Sequence, residues 1–188
     1  VSVIAVKDGI PSTLIENKAF SIEPMYERYS TEEYAAMSKF HDEVEDIERV
    51  LWGLNEQIND QDEKLDYLIA AVKMVPEMDI KVLPEIQAMK KQLVDINSSV
   101  NGITSLSKRE FETKTTIATR IGMISWGFWL NYQVPTKSHF NDLTIAKEEM
   151  TVVIDRLKLT QATIERFEDQ LNNMGAPYTP GRTLEFKN

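Results

Sequence analysis

From Ser30 to Val75 the chain reads STEEYAAMSKFHDEVEDIERVLWGLNEQINDQDEKLDYLIAAVKMV, with no proline and a single glycine. Met37, Val44, Leu51, Ile58, Leu65 and Val72 stand seven apart, and Phe40, Ile47, Leu54, Gln61, Leu68 and Val75 each follow three residues later. Only Gln61 interrupts this apolar series. An average spacing of 3.5 residues defines one continuous helix with a narrow apolar seam that must lie along partner helices. At 1.5 Å per residue such a helix reaches about 65–70 Å. Ser30 followed by Glu33 reads as a capping box, and Glu32 and Glu33 suit the positive end of the helix dipole. Gly53 weakens the helix by about 1 kcal/mol relative to alanine and is expected at a point of close packing. Gln61 is expected to be a buried polar residue that sets the register between helices.

Pro76 ends this helix, and a second is expected from near Asp79 or Pro84. Its apolar positions are Val82, Ile86, Met89, Leu93, Ile96, Val100 and Ile103, alternately four and three apart. The short turn between the two predicts antiparallel neighbours. Asn101-Gly102 and a Thr/Ser-rich stretch then break the pattern, with Leu106 and Phe111 expected to tack the loop down. Between Thr115 and Tyr132, Ile117, Ile121, Ile124 and Phe128 share a helical face, and Trp126, Trp129 and Tyr132 lie near one end. Large aromatics ordinarily fill cores, so core packing plus a buried cap on the bundle is the preferred reading; the alternative is a platform for carbohydrate or peptide. Thr136 is placed to cap a last helix that repeats the logic of the first. Leu143, Met150, Leu157, Ile164 and Leu171 are seven apart, followed at three by Ala146, Val153, Thr160, Phe167 and Met174. Gly175 suits the residue just past the helix end, and Pro177 prevents its resumption.

Residues 1–26 differ in character. Val1 to Val6 is apolar on both faces, which is the habit of a central strand. Lys7-Asp8-Gly9 supplies turn chemistry, Ser12 to Ile15 reads as a second strand, and Ala19 to Ile22 as a third, stopped by Pro24. Two or three such strands are marginal alone, so they read as the last strands of an upstream β domain. Their Val- and Ile-rich edge predicts homo-association through residues 1–22 or docking of the hairpin on the bundle. With no initiator Met and no basic n-region at Val1, the sequence reads as a piece of something longer.

A formal net charge of −9 argues against binding a nucleic-acid backbone. Cysteine is absent, which removes disulfides, thiol nucleophiles and Cys-based metal sites. No apolar run approaches the ~18 residues of a membrane span. His41 and His139 are preceded at three residues by Ser38 and Thr136, so the Glu-x-x-His pairs of a di-iron bundle are missing. No phosphate loop, nucleophile elbow or zinc-protease motif occurs. The paired carboxylates Asp42/Asp46 and Asp62/Asp66 are ordinary for solvated helix faces. No catalytic residue, cofactor or metal is expected.

The tail Gly175-Ala-Pro-Tyr-Thr-Pro-Gly-Arg182, following Leu-Asn-Asn-Met174, resembles the C-terminus of a bacterial family of large proteins. Their main body carries sortilin-like, BNR (Asp-box) β-propeller repeats, and they are usually classed as glycosyl hydrolases. Phe20-Ser-Ile-Glu-Pro-Met25 is similar to the strand leading into that family's helical region, and Ile117-Ala-Thr-Arg-Ile121 and Val134-Pro-Thr136 to its linker before the last helix. Thr183-Leu-Glu-Phe186 departs from the expected Pro-Glu-Trp ending. The resemblance implies upstream β-propeller and β-sandwich domains in the same polypeptide, none of whose functional motifs occur here, and export to the periplasm or cell surface.

The class expected is mainly α. Its form is an elongated antiparallel helical bundle with long coiled-coil-like helices, preceded by a small β hairpin or sheet remnant. Residues 1–26 are assigned to the terminal strands, 27–175 to the bundle and 176–188 to an extended tail. Two functions are carried forward: a non-catalytic structural or interaction module of a larger protein, and a carbohydrate-binding accessory unit using Trp126, Trp129 and Tyr132. Tyr178 and Arg182 are further candidate interaction residues. Tyr178 is expected in a groove between helix ends and Arg182 on a carboxylate, with residues 183–188 looser.

Overall fold

The computed structural model describes residues 1–23, 28–76, 79, 81–109, 111–131 and 133–182, with the backbone alone for 129–131. The chain divides into two compact units, Val1–Tyr34 and Ala35–Asn188.

The first unit contains an antiparallel hairpin of β1 (Val3–Lys7) and β2 (Ile10–Ile15). Asp8 and Gly9 form the turn with φ of 52° and 79°. Positive φ at both central residues gives the primed turn whose twist matches paired strands, and Asp-Gly is among its preferred sequences. Beyond the ladder, the Val1 α-amine donates to the Lys18 carbonyl at 2.6 Å. The third strand expected over Ala19–Ile22 does not form, and Phe20 and Ile22 are exposed. Nor is β1 central among the described residues, since its only partner is β2. The capping box is present: the Ser30 N–H donates to Glu33 Oε2 at 2.7 Å and the Glu33 N–H to Ser30 Oγ at 3.2 Å.

That box opens α1 (Thr31–Met74), which continues through the second unit. There follow α2 (Val82–Asn101), the short α3 (Thr104–Ser107), α4 (Ile117–Asn131) and α5 (Lys137–Asn173). Polar pairs fix their directions. Lys90 bonds Asp62 and Asp66 while Asn101 donates to Asn55, so α2 runs antiparallel to α1. Ser125 donates to Glu48 while Phe128 stacks on Phe40, so α4 is antiparallel to α1 as well. Lys147 pairs with Glu43, and Gln61 Nε2 donates to the Leu157 carbonyl, so α5 runs parallel to α1. The bundle therefore has three lanes. α1 and α5 fill two, and the third is shared end to end by α2 and α4. The aromatic segment, α4, continues the lane that α2 begins.

The heptad seams are buried as the spacing predicts. On α1, Phe40, Val44, Ile47, Leu54, Ile58, Leu65, Leu68 and Val72 are core residues, and on α5 the series runs from Leu143 to Leu171. Gln61 is buried in the same seam, consistent with a register-setting role, and its Oε1 finds no partner among the described residues. Gly53 is not a packing point: it is exposed, and a methyl group there would meet nothing within 4 Å. Ile103 and Met174 are exposed because their helices end first. Leu106 and Phe111 are likewise exposed, so they do not pin the loop. At the end of α5 the Gly175 N–H bonds the Asn172 carbonyl and the Ala176 N–H the Leu171 carbonyl. This is the Schellman pattern, with Gly175 at φ +69°; Ala176 is buried while Met174 is exposed.

Candidate functional site

Three places bear on function, and the first is the outer side of α4. Ile117, Ile121 and Ile124 turn inward, and Phe128 packs half-buried between Phe40 and His139. An α-helix advances 100° per residue, so Trp126, two residues from both Ile124 and Phe128, points away from that core. The residue is 68% exposed. Trp126 is thus neither core nor buried cap, which corrects the packing expectation. The Trp129 side chain and all of Tyr132 lie outside the described residues. Sequence reasoning missed Trp52, 76% exposed on α1 one turn after Glu48, the partner of Ser125. A tryptophan off the heptad seam was the available signal.

The second place is the tail. Arg182 is the buried anchor, only 7% exposed, while Tyr178 is 47% exposed. Arg182 Nη1 donates to the Pro177 carbonyl at 2.7 Å and Nη2 to Asn172 Oδ1, so the guanidinium closes the loop onto the end of α5. Its bonds go to neutral oxygens rather than to the expected carboxylate. The Tyr178 ring lies beneath it, with the guanidinium carbon 5.4 Å from the ring centre. Gly181 sits against Lys64 of α1, close enough that a methyl group would come within 3.2 Å of Lys64 Cε. Glu168 shares this corner: burial raises its carboxyl above the ordinary value, and the charges of Lys64 and Arg182 only partly offset that.

The third place is the joint between α2 and α4, where the lane changes helix and a depression of about 230 Å³ opens against α5. Ser98, Lys114, Thr116, Glu149, Val152 and Arg156 are among its lining residues. Lys114 and Arg120 both face Glu149, at 3.1 and 3.8 Å, and Arg120 reaches Asp142 at 2.8 Å. Among the described residues its lining holds a single carboxylate, Glu149, which is paired with Lys114 and Arg120.

Several carboxylates elsewhere are engaged in ion pairs. Asp62 and Asp66 do not form an acid–base dyad, because both hold Lys90. Burial pulls the Lys90 ammonium down, but its hydrogen bonds to those two carboxylates outweigh this and raise it overall. Glu43 is lowered chiefly by its hydrogen bond to Lys147. His139 Nδ1 accepts from the Thr136 N–H while Thr136 Oγ1 accepts from the His139 N–H, a capping box that gives this histidine a local structural task. Among the described residues no group of His, Asp and Glu could hold a metal ion, and no helix is long and apolar enough to cross a membrane.

Comparison with protein-family models, with curated proteins and with solved structures found no match to this chain.

Proposed function

We propose that this chain is a non-catalytic structural and interaction module from the C-terminal region of a larger exported protein. That protein would carry a sortilin-like, BNR-repeat propeller and a β-sandwich ahead of the module. One observation supports the reading most. The hairpin exposes Val3, Ile4, Val6, Ile10, Leu14 and Ile15, which occupy both of its faces. A two-stranded hairpin of this kind is marginal in water, and apolar side chains on both faces call for packed layers on both. Upstream β domains of the same polypeptide would supply those layers. The likeness of the 175–182 tail to the propeller family supports this identification of the domains and a location in the periplasm or at the cell surface.

Hydrogen exchange tests this. The amides of Ala5, Lys7 and Ile10 are compared in the 188-residue chain and in a longer polypeptide carrying the preceding domains. Exchange slowed by about 100-fold or more in the longer chain is expected, as for a strand moved into a cooperative core. Equal exchange in both would remove the basis for the proposal.

The exposure of Trp126 favours a second reading, a carbohydrate-binding accessory unit. Titration with soluble oligosaccharides while following tryptophan fluorescence, repeated with Trp126→Ala, separates the two. Saturable quenching that disappears in the variant would favour the sugar platform, and no quenching would eliminate it.

A further inference from the structure

The hairpin has two outer edges, and they differ. Lys7 and Ile10 flank the two-residue turn and face each other, followed by Val6 opposite Pro11 and Ala5 opposite Ser12. In an antiparallel ladder closed by such a turn, the flanking pair exchanges hydrogen bonds and alternate pairs do so thereafter. Ala5 and Lys7 therefore direct their backbone groups toward β2, while those of Ile4 and Val6 point away from it. On β2 the outward positions fall to Pro11 and Thr13. Pro11 has no N–H to offer, and within sheets proline is confined to such edges. The ladder's irregularity also falls on β2: Ile4 faces Thr13 and Val3 faces Ile15, leaving Leu14 as the extra residue. Proline and bulges are two of the devices by which proteins blunt an edge against further pairing. β1 has neither, and no charged side chain before Lys7.

Where the reading above concerns what covers the hairpin's two faces, the edges carry a separate inference. We propose that the outer edge of β1 pairs with the outer edge of β1 in a second copy of this chain, antiparallel about a two-fold axis at Ile4. The outward groups of Ser2, Ile4 and Val6 then meet those of Val6, Ile4 and Ser2 in the second copy, and Val3 stands opposite Ala5. Every outward group finds a partner because the edge is self-complementary under two-fold rotation, and Lys7, the nearest charged side chain, falls at the end of the ladder. The product is a four-stranded sheet whose outer edges are both the Pro11-bearing β2. An isologous contact with blunted outer edges closes at the dimer.

The test uses the full 188-residue chain, followed by sedimentation velocity from about 1 μM to about 1 mM, the range in which weak association is read. The mass is expected to climb toward twice that of one chain. Ile4→Pro removes the outward N–H at the centre of the register and should weaken the dimer about tenfold or more, as loss of a central ladder bond would. Thr13→Pro makes the same change on the β2 edge and should leave it unaltered. In the unaltered chain, the Ile4 and Val6 amides should gain protection from exchange with rising concentration, while that of Thr13 should not. That measurement decides the matter if Ile4→Pro abolishes the hairpin, as judged by loss of Val6–Pro11 contacts in NMR. A monomer at every concentration overturns the proposal. So does growth beyond two chains, or equal weakening by the two prolines.

Discussion

The hairpin and the bundle are both rich in valine, isoleucine and leucine, yet these residues meet opposite environments. In the bundle, Leu54, Leu65, Ile86, Val100 and Ile164 are removed from solvent; in the hairpin, Ile4, Val6, Ile10 and Leu14 remain in it. The difference lies in what specifies each. The hairpin's register is determined locally, by an Asp-Gly turn with both φ values positive and a ladder whose large apolar side chains stay exposed. The bundle is determined by burial, since an apolar stripe at 3.5-residue spacing makes sense only against other helices. Backbone pairing and side-chain burial are therefore separate properties, and β1 and β2 pair with each other while their large apolar side chains stay in solvent.

The contrast can be broken most forcefully in the seam. Leu54 is buried in the core along the α1 seam, so Leu54→Asp would place an unpaired carboxylate there. A loss of about 3–5 kcal/mol is expected in chemical denaturation followed by circular dichroism. An unchanged midpoint would mean that the seam is not what holds the bundle.

The tail comes next. Arg182 is more than nine-tenths buried and joins Pro177 to Asn172 across the end of α5. Arg182→Ala removes two hydrogen bonds from a charged donor and leaves two acceptors without it, so about 1–3 kcal/mol should be lost. Amides 176–182 should then exchange faster, while those of α1 near Leu54 change only with global stability. Unchanged exchange across the tail would show that the loop closes without its arginine.

Much of this architecture was legible in the residues, for particular reasons. The seam positions of α1 and α5 follow from spacing alone, because long helices have few alternatives that bury every seventh residue. The caps at Ser30, Thr136 and Gly175 follow from local hydrogen-bond chemistry. What could not be read was anything set by where a neighbour stops. Gly53 looked like a contact point, but nothing approaches it. Trp126 looked like core because large aromatics ordinarily fill cores, although its spacing from Ile124 and Phe128 already set it off their buried face. Arg182 was expected on a carboxylate because the chain is acidic. Its position after Pro177 and Gly181 instead directs it back to the carbonyl and carboxamide oxygens within reach.

Glu168 sharpens the contrast by pH. Burial holds its carboxyl above the ordinary 4.5, so the folded chain binds this proton more tightly than the unfolded chain does. The associated stability is fully present below the unfolded value and is lost as pH rises through the raised folded one. At neutral pH the carboxylate is therefore a small liability. Glu168→Gln should raise the midpoint near pH 7 by less than about 1 kcal/mol, because a partly exposed site is screened. The gain should shrink as pH falls through the raised folded value toward 4.5. A gain that is constant with pH would assign the effect to shape rather than charge.

The smallest expected effect tests the comparison itself. Leu14 is 66% exposed on β2, is the extra residue of the irregular ladder, and belongs to the Val1–Tyr34 unit. Leu14→Asp makes the same chemical change as Leu54→Asp, a leucine replaced by a carboxylate. In the 188-residue chain, however, the new charge stays in water and displaces no packed neighbour. The bundle's unfolding midpoint should shift by no more than about 0.5 kcal/mol, the usual scale for a surface site. The Asp8-Gly9 turn and the Lys7–Ile10 pair should persist in NMR, because neither depends on the Leu14 side chain. A loss approaching that of Leu54→Asp would mean that Leu14 is covered in solution, and the hairpin would then be part of the core that the bundle shares. No loss in this chain, combined with destabilisation of a longer polypeptide carrying the preceding domains, would show that the same leucine becomes a core residue only when its partner layers are present.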